Sequence, residues 1–253
     1  MDQENLTDVS IRYENKVARI SINRPEKLNA IRINTYKELI STLKAADDSP
    51  ECHLIMLEGE GAIFTAGNDL SDLVGNPEKG QAVMDGVQGI FDTVAGLKKV
   101  LIAAVEGVAV GIGTTILLHC DMVVASSETK FRLPFANLGV CPEGASSALL
   151  PRAIGDKRAR EVLLTGRFFS AEEALRWGLI NSTSEPGKAA EKAQEYIQQL
   201  LQQPLTSLIA TKEMIRRHGV DASKTVATEL ETFTKLVLSP ETQMRIQYIL
   251  NKS

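Results

Sequence analysis

The amino-acid sequence predicts an α/β protein built around a mostly parallel sheet. Apolar strand-like segments alternate with a helical segment at HLIMLEG (53–59), 81–97 and VLIAAVEG (100–107). Strand–helix–strand alternation of this kind implies parallel strands joined by right-handed crossovers. With 253 residues, of which 43% are hydrophobic and 24% charged, the chain is long enough to bury a substantial core. A single α/β domain with helices appended is therefore the expected architecture.

The elements of the first half follow in order from periodicity and turn residues. VSIRY (9–13) and VARISI (17–22) alternate apolar and polar residues around a polar turn, which predicts a β-hairpin. Apolar residues at helical spacing between 36 and 43 predict the next helix. After the strand–helix–strand unit described above, the pattern repeats once more as TILLHCD (115–121) followed by MVVAS (122–126).

Beyond Ser146 the pattern becomes almost wholly helical. Ser170, with a glutamate three residues on, has the spacing of a capping box, and Gly178 is expected to end that helix. Ser239 followed by Pro240 predicts the start of the last helix. The other helices are predicted near 188–202, 205–217 and 221–238, and the last near 240–251.

Charge and cysteine content argue against several classes of protein. The net charge of −4, without a run rich in lysine and arginine, argues against a nucleic-acid partner. The three cysteines are odd in number and form no C-x-x-C motif, which favours a reduced, intracellular setting without disulfides. Three widely separated histidines give little support to a metal site. We therefore expect no metal.

Two features bear on membranes and compartment. The first ten residues are polar and acidic, unlike a secretory signal. The most apolar region, 100–125, is interrupted by Glu106, by glycines and by Asp121, whereas a membrane helix needs about 20 predominantly apolar residues. These features predict a cytoplasmic protein with no membrane partner.

Two glycine-containing turns follow predicted strands. IFTAGNDL (63–70) leaves the strand that ends near residue 59, and EGVAVGIG (106–113) leaves the next strand and enters a helix. Such turns meet at one edge of an open sheet, where two unpaired N–H groups could form an oxyanion hole. Ordinary tight turns and a capped helix explain the pattern equally well. A dinucleotide site is rejected, because Ile116 stands where its fingerprint requires a third glycine.

A single acid, Glu143, lies between Pro142 and Gly144 in the otherwise small and apolar stretch LGVCPEGASS (138–147). Burial without a partner disfavours the charged form of a glutamate, so one interpretation is an exposed turn or a residue near a helix start. The other is a catalytic base whose proton affinity is raised by its surroundings. Neighbouring Cys141 could be read as a nucleophile, but no histidine lies nearby in sequence, and a pocket-lining cysteine is favoured.

Several segments, in order and at the usual spacing, resemble the crotonase superfamily of enoyl-CoA hydratases and isomerases. The resemblance covers essentially the whole chain, and several motifs that agree in order are far more specific than any one of them. The motifs are NRPEKLNAI (23–31), FTAGNDL (64–70), AAVEGVAVGIG (103–113), CDMVVAS (120–126) and LTGRFFSAEEALRWGLI (164–180).

The resemblance implies a crotonase-like spiral of ββα units with a C-terminal helical trimerisation region. We divide the chain accordingly into a spiral core, 1–195, and a C-terminal oligomerisation region, 196–253. An acyl-CoA substrate and assembly as a homotrimer or a dimer of trimers are also implied. Coenzyme A, as part of the substrate, is the only cofactor expected.

The resemblance also assigns site residues. It places the oxyanion hole on the backbone N–H groups of Ala66 and Ile112, and phosphate contacts on Arg24 and Lys27. The complete set of residues expected to bind the substrate or its CoA is Arg24, Lys27, Leu28, Ala30, Ala66, Gly67, Asn68, Asp69 and Leu70.

One departure from the family pattern points to the reaction. Typical hydratases carry two glutamates, and this sequence has Thr115 and Phe135 at the matching positions. The segment around Glu143 instead resembles the peroxisomal-type Δ3,Δ2-enoyl-CoA isomerases, which carry a single catalytic glutamate in such a P-E-G segment. The resemblance therefore predicts an isomerase in which Glu143 shuttles a proton. An enoyl-CoA hydratase or other crotonase-type reaction, and a non-catalytic acyl-CoA-binding protein, stay as alternatives.

Overall fold

The computed structural model describes residues 6–252, and the bounds below refer to them. The strands are β1 (Val9–Glu14), β2 (Val17–Ile22), β3 (Leu54–Gly59), β4 (Val100–Val105), β5 (Val108–Val110), β6 (Met122–Ser126), β7 (Lys130–Arg132), β8 (Phe168–Ser170) and β9 (Ser182–Ser184). The helices are α1 (Ile33–Asp48), α2 (Pro77–Gly96), α3 (Ile112–Thr115), α4 (Phe135–Leu138), α5 (Ser146–Ile154), α6 (Asp156–Thr165), α7 (Ala171–Trp177), α8 (Ala189–Leu201), α9 (Leu205–Arg217), α10 (Ala222–Val237) and α11 (Pro240–Leu250).

These strands form two sheets. The larger has the order β1-β2-β3-β4-β6-β9, and the smaller has the order β5-β7-β8. In the larger sheet β1 and β2 are antiparallel, whereas every later pair is parallel. The predicted α/β class with a mostly parallel sheet is confirmed. The predicted hairpin is confirmed as well, and its turn residues Asn15 and Lys16 both have a positive φ, as a tight two-residue hairpin turn requires.

The central strands are buried on both faces, because helices cover both sides of the sheet. In β3, Ile55 and Leu57 face the larger core, while Leu54 and Met56 face a smaller core beneath α8. Strands covered on both faces are apolar at every position rather than at alternate ones. This explains the uninterrupted apolar runs that marked these strands in the sequence.

The C-terminal helices pack back onto the rest of the chain. Helix α10 contacts α2, and α11 contacts α4. On α10, Val226, Leu230, Phe233 and Val237 are buried at helical spacing in the larger core. The boundary drawn at residue 195 falls within α8, which packs on the sheet strands β3, β4, β6 and β9. The division into core and oligomerisation region stays a prediction.

Two details of the sequence-based assignment are wrong. Helix α2 begins at Pro77 rather than at 81, because the side chain of Asn76 accepts hydrogen bonds from the first-turn N–H groups of Glu78 and Lys79. The region after Ser146 also contains the short strands β8 and β9. Three-residue strands are too short to show a period of two, so the sequence carries no clear signal for them.

Candidate active site

The two glycine turns lie side by side at the end of the parallel strands. The N–H of Thr65 donates to the Val108 carbonyl at 3.1 Å, and the N–H of Val110 donates to the Thr65 carbonyl at 3.1 Å. At Gly67, where φ is +90°, a Cβ would lie 2.6 Å from the Val110 carbonyl oxygen. Only glycine permits this approach, so Gly67 sets the separation of the two turns.

The structure corrects the predicted oxyanion donor on the first turn. The N–H of Ala66 donates to the Leu28 carbonyl at 2.9 Å, so it is not available to a substrate. Two residues further on, Asn68 pairs with Ile31 as in a parallel ladder, in which Ile31 bonds to the residues on either side of Asn68. The N–H of Asn68 therefore points away from Ile31, and none of the residues 6–252 accepts a hydrogen bond from it.

The N–H of Ile112, the predicted donor on the second turn, has no hydrogen-bond acceptor among residues 6–252. Ile112 is the first residue of α3, and the first N–H groups of a helix have no partner within it. Asn68 and Ile112 line the same cavity, whose volume is about 220 Å³. Its other walls are largely apolar and include Leu73, Phe135, Val140 and Phe233.

The buried Tyr36 forms a hydrogen bond with the side chain of Asn68. Its hydroxyl donates to Oδ1 of Asn68 at 2.5 Å, and only 1% of the residue is exposed. Burial, together with the nearby charge of Glu143, raises the pKa of Tyr36 well above its ordinary value, so the phenol keeps its proton and acts as a donor. The contact fixes the side chain of a cavity-lining residue whose N–H has no acceptor among residues 6–252.

Glu143 lies on the segment between α4 and α5 and is 1% exposed. Its Oε1 accepts a 2.7 Å hydrogen bond from the hydroxyl of Thr115. Its Oε2 is buried and has no hydrogen-bond partner among the described residues. Glu143 is not among the residues that line the cavity. Thr115 is the last residue of α3, and the first residue of that short helix, Ile112, does line it. The interpretation of Glu143 as an exposed turn residue is wrong.

Burial raises the pKa of Glu143 to about 8. The hydrogen bond from Thr115 has the opposite effect and lowers that pKa, but it is the smaller of the two influences. The charge of Glu229 raises the pKa further. A carboxyl group in this environment is protonated or ionised at similar free energy near neutral pH. It can therefore accept a proton in one step and return it in the next.

Two side chains that the sequence analysis missed hold the Glu143 segment. Glu229, on α10, accepts a hydrogen bond from the N–H of Ala145 at 2.6 Å. On the other side, Nε2 of His119 lies 2.8 Å from the Gly144 carbonyl oxygen. The sequence does contain an indication of Glu229: it lies on the apolar face of a predicted helix, where a charged residue is unusual.

The interpretation of Cys141 as a nucleophile, which the sequence analysis did not favour, gains no support from the structure. Burial raises the pKa of Cys141 to about 11, so its thiol is protonated near neutral pH. The Sγ of Cys141 contacts the backbone carbonyl of Glu229 at 3.5 Å. Like Glu143, Cys141 is not among the residues that line this cavity.

The residues predicted to contact CoA lie on two segments of the chain, 24–30 and 66–70. Lys27 and Leu28 are exposed on the loop before α1, next to the partly buried Ala30. Arg24 is 8% exposed, and its guanidinium donates to the Ala30 carbonyl at 2.5 Å and pairs with Asp69 at 3.4 Å. Arg24 therefore joins the two segments that were predicted to bind CoA, and the prediction that it meets phosphate directly is not supported by these contacts.

The later part of the 66–70 segment is placed near the cavity. Gly67, Asn68 and Leu70 line it together with Ala66. Asp69 caps the turn that follows, because its carboxylate accepts hydrogen bonds from the N–H and the hydroxyl of Ser71.

Two findings concern classes considered in the sequence analysis. Over residues 6–252, no three histidine, cysteine, aspartate or glutamate side chains are grouped so that they could hold a metal ion. None of the helices in the same range combines the length and the apolar character needed to cross a membrane.

Known proteins resemble this chain over nearly its whole length. The family model described as Enoyl-CoA hydratase/isomerase matches residues 12–252. The short-chain-enoyl-CoA hydratase of Clostridium acetobutylicum is 33% identical, over 90% of this chain and 88% of its own. The 1,2-epoxyphenylacetyl-CoA isomerase of Escherichia coli is 34% identical, over 80% of this chain and 79% of its own. Human enoyl-CoA delta isomerase 2 is 33% identical over 83% of this chain, which spans 56% of that protein.

Solved structures agree with the sequence comparison. The enoyl-CoA hydratase/isomerase of Pseudoalteromonas atlantica superposes with a TM-score of 0.89 at 31% identity, covering 97% of this chain and 98% of its own. OdaA of Pseudomonas aeruginosa superposes with a TM-score of 0.91 at 30% identity, covering 96% and 98%. The chain therefore belongs to the enoyl-CoA hydratase/isomerase family of the crotonase superfamily and is an enzyme of that family.

Proposed function

We propose that the protein is a Δ3,Δ2-enoyl-CoA isomerase in which Glu143 carries the proton. The observation that supports this most is the state of the Glu143 carboxyl group. It is buried, its Oε2 has no partner among the described residues, and its pKa is raised to about 8. A buried acid without a pairing cation is costly for a fold, and is therefore a candidate for a functional role.

The proposed reaction needs only one such group. Ionised Glu143 removes a proton from C2 of a 3-enoyl thioester, and the electron pair moves into a dienolate whose charge rests on the thioester oxygen. The N–H groups of Asn68 and Ile112 stabilise that oxygen. The protonated carboxyl then returns the same proton to C4, which leaves the double bond between C2 and C3. Atoms and charge balance without a redox cofactor or a metal.

The absence of a second acid favours isomerisation over hydration. Thr115 and Phe135 occupy the positions at which typical hydratases carry glutamates. The hydroxyl of Thr115 is engaged with Glu143, and the ring of Phe135 forms part of the cavity wall. Neither side chain can deprotonate a water molecule. Hydration would have to use Glu143 for both the water and the α-carbon.

The same proposal covers the rest of the substrate and the assembly. Lys27 and Leu28, together with the 66–70 segment, are exposed or line the cavity and would contact the CoA moiety. Exposed apolar side chains on α9, Met214 and Ile215, are suited to contact another copy, as in a homotrimer or a dimer of trimers.

Turnover of two substrates by the purified protein tests the proposal. We expect conversion of trans-3-enoyl-CoA to the trans-2 isomer to be much faster than hydration of trans-2-enoyl-CoA, at each of several chain lengths. Faster hydration would assign the protein to the hydratases, which the similarity to the Clostridium acetobutylicum enzyme also allows. Acyl-CoA binding without turnover of either substrate would instead support a binding protein.

A further inference from the structure

We propose that Glu229, on the C-terminal helix α10, is a positioning residue that fixes the turn after Glu143 and keeps a second negative charge beside it. The inference rests on the proposed function, in which Glu143 moves the proton. It gives the C-terminal helices a part in the chemistry of the same subunit, in addition to any part in assembly.

The contacts of Glu229 engage both oxygens of its carboxylate. Oε2 accepts a hydrogen bond from the N–H of Ala145 at 2.6 Å, and Oε1 accepts one from the N–H of Ser147 at 2.9 Å. The hydroxyl of Ser147 donates a further, short hydrogen bond to Oε1. The residue is 8% exposed. Burial raises the pKa of Glu229, and the donors on both oxygens oppose that shift by stabilising the ionised form.

The turn held by Glu229 is unfavourable on its own. Ala145 has a φ of +57°, a left-handed conformation that is unfavourable for a residue other than glycine. It also precedes the first residue of α5 and provides no side-chain cap. The Glu229 carboxylate supplies the missing cap from another helix. The next residue, Ser146, donates its hydroxyl to the Glu143 carbonyl at 2.6 Å, so the held turn is tied directly to the proposed base.

The charge of Glu229 acts on the same residue. Together with burial, it raises the pKa of Glu143. Three other titratable groups near the segment are uncharged near neutral pH, because burial raises the pKa values of Cys141 and Tyr36 and lowers that of His119. Arg132 lies in the wall of the adjoining cavity, where its guanidinium donates to the Gly166 carbonyl at 2.7 Å. Glu229 is thus the charged group that biases Glu143 toward its protonated form and makes its anion a stronger base.

The variant Glu229→Gln separates this role from a purely structural one. It keeps the length of the side chain and one acceptor oxygen but removes the charge. Glu231→Gln is the matched control, because Glu231 lies on the exposed face of the same helix, where its one ion pair among the described residues is with Lys235 at 2.8 Å. Two quantities are measured: the pH dependence of kcat/KM for a 3-enoyl-CoA, and the titration of the Glu143 carboxyl carbon by ¹³C NMR, assigned by its loss in Glu143→Gln.

In Glu229→Gln we expect both midpoints to move to lower pH, by roughly half a unit to one unit. The plateau of kcat should fall about tenfold with KM within about twofold, because orientation of the base affects the reacting state more than binding. Glu231→Gln should leave both midpoints in place. Unchanged midpoints in a folded Glu229→Gln protein would overturn the proposal and leave Glu229 as a structural cap.

The NMR titration also distinguishes the inference from the proposed function. It requires no turnover, so an enzyme that does not isomerise 3-enoyl-CoA can still show or lack the shift at Glu143. If Glu229→Gln does not fold, the wild-type protein provides the test. The Glu143 carbon should register a second, smaller step at lower pH as Glu229 ionises. A single step would overturn the proposal.

Discussion

The hydroxyl of Thr115 donates a 2.7 Å hydrogen bond to Oε1 of Glu143, and both residues are fully buried. The threonine occupies a position at which typical hydratases carry a catalytic glutamate, yet here it serves a carboxyl group 28 residues further along the chain. The position at which hydratases carry one catalytic acid therefore supplies, in this chain, a hydrogen bond to a different acid, Glu143.

The variant Glu143→Gln should lose nearly all isomerase activity. The amide keeps the size of the side chain but cannot accept and return a proton, and general acid–base groups contribute on the order of 10²–10⁴-fold to rates. Steady-state turnover of trans-3-enoyl-CoA measures the loss, and calorimetric binding of an acyl-CoA is the control, which should be retained. A folded variant with most of its turnover would show that Glu143 is not the base.

The wild-type enzyme should become more active as the pH is raised toward 8. The ionised form of Glu143 is the base, and its pKa is about 8. Below that value kcat/KM should therefore rise by about tenfold per pH unit, and above it the rate should level off. The measurement is the pH profile of kcat/KM, with a substrate that dissociates from the enzyme faster than it reacts. A plateau that already begins near pH 5 would mean that the Glu143 carboxyl is not perturbed by its burial.

Glu143→Gln should also stabilise the protein at alkaline pH. The folded state binds a proton at Glu143 that the unfolded chain releases, because the pKa is about 8 in the fold against 4.5 for an unperturbed glutamate. The wild type therefore loses stability relative to the variant as the pH rises between these two values, by up to about 4 kcal/mol. Urea unfolding at pH 5 and pH 9 measures the difference, which should be larger at pH 9. Equal differences at both pH values would contradict the assignment.

Thr115→Val should keep isomerase activity within about one order of magnitude, since the hydroxyl has no proton-transfer role. The hydrogen bond from Thr115 lowers the pKa of Glu143, so its removal should move the midpoint of the pH profile upward. Thr114→Val is not a suitable control, because the hydroxyl of Thr114 bonds to the backbone of Ala109. Thr93→Val, on α2, removes a hydroxyl whose one hydrogen bond within residues 6–252 is to the Gly89 carbonyl of its own helix, and it should leave the midpoint in place. A loss as large as that of Glu143→Gln would give Thr115 a direct role.

Local patterns predicted most of the fold because each depends on neighbours in the chain. The capping box at Ser170 and the cap at Ser239 are both present, since a helix start is defined within four residues. The buried strands were recognised from their apolar runs. The early start of α2 and the strands β8 and β9 were missed, because a side-chain cap at Asn76 and three-residue pairings carry little periodic signal.

The sequence by itself determined the family, the candidate acid Glu143 and the turn that supplies Ile112, because motif order and residue type are properties of the chain alone. Tertiary structure decided which backbone groups are free. Ala66 gives its N–H to Leu28, whereas the pairing of Ile31 leaves that of Asn68 open to the cavity. It also brought Glu229, 86 positions beyond Glu143 in the numbering, onto the same turn. Hydrogen bonds between distant segments depend on how helices and loops pack, and no local pattern specifies that.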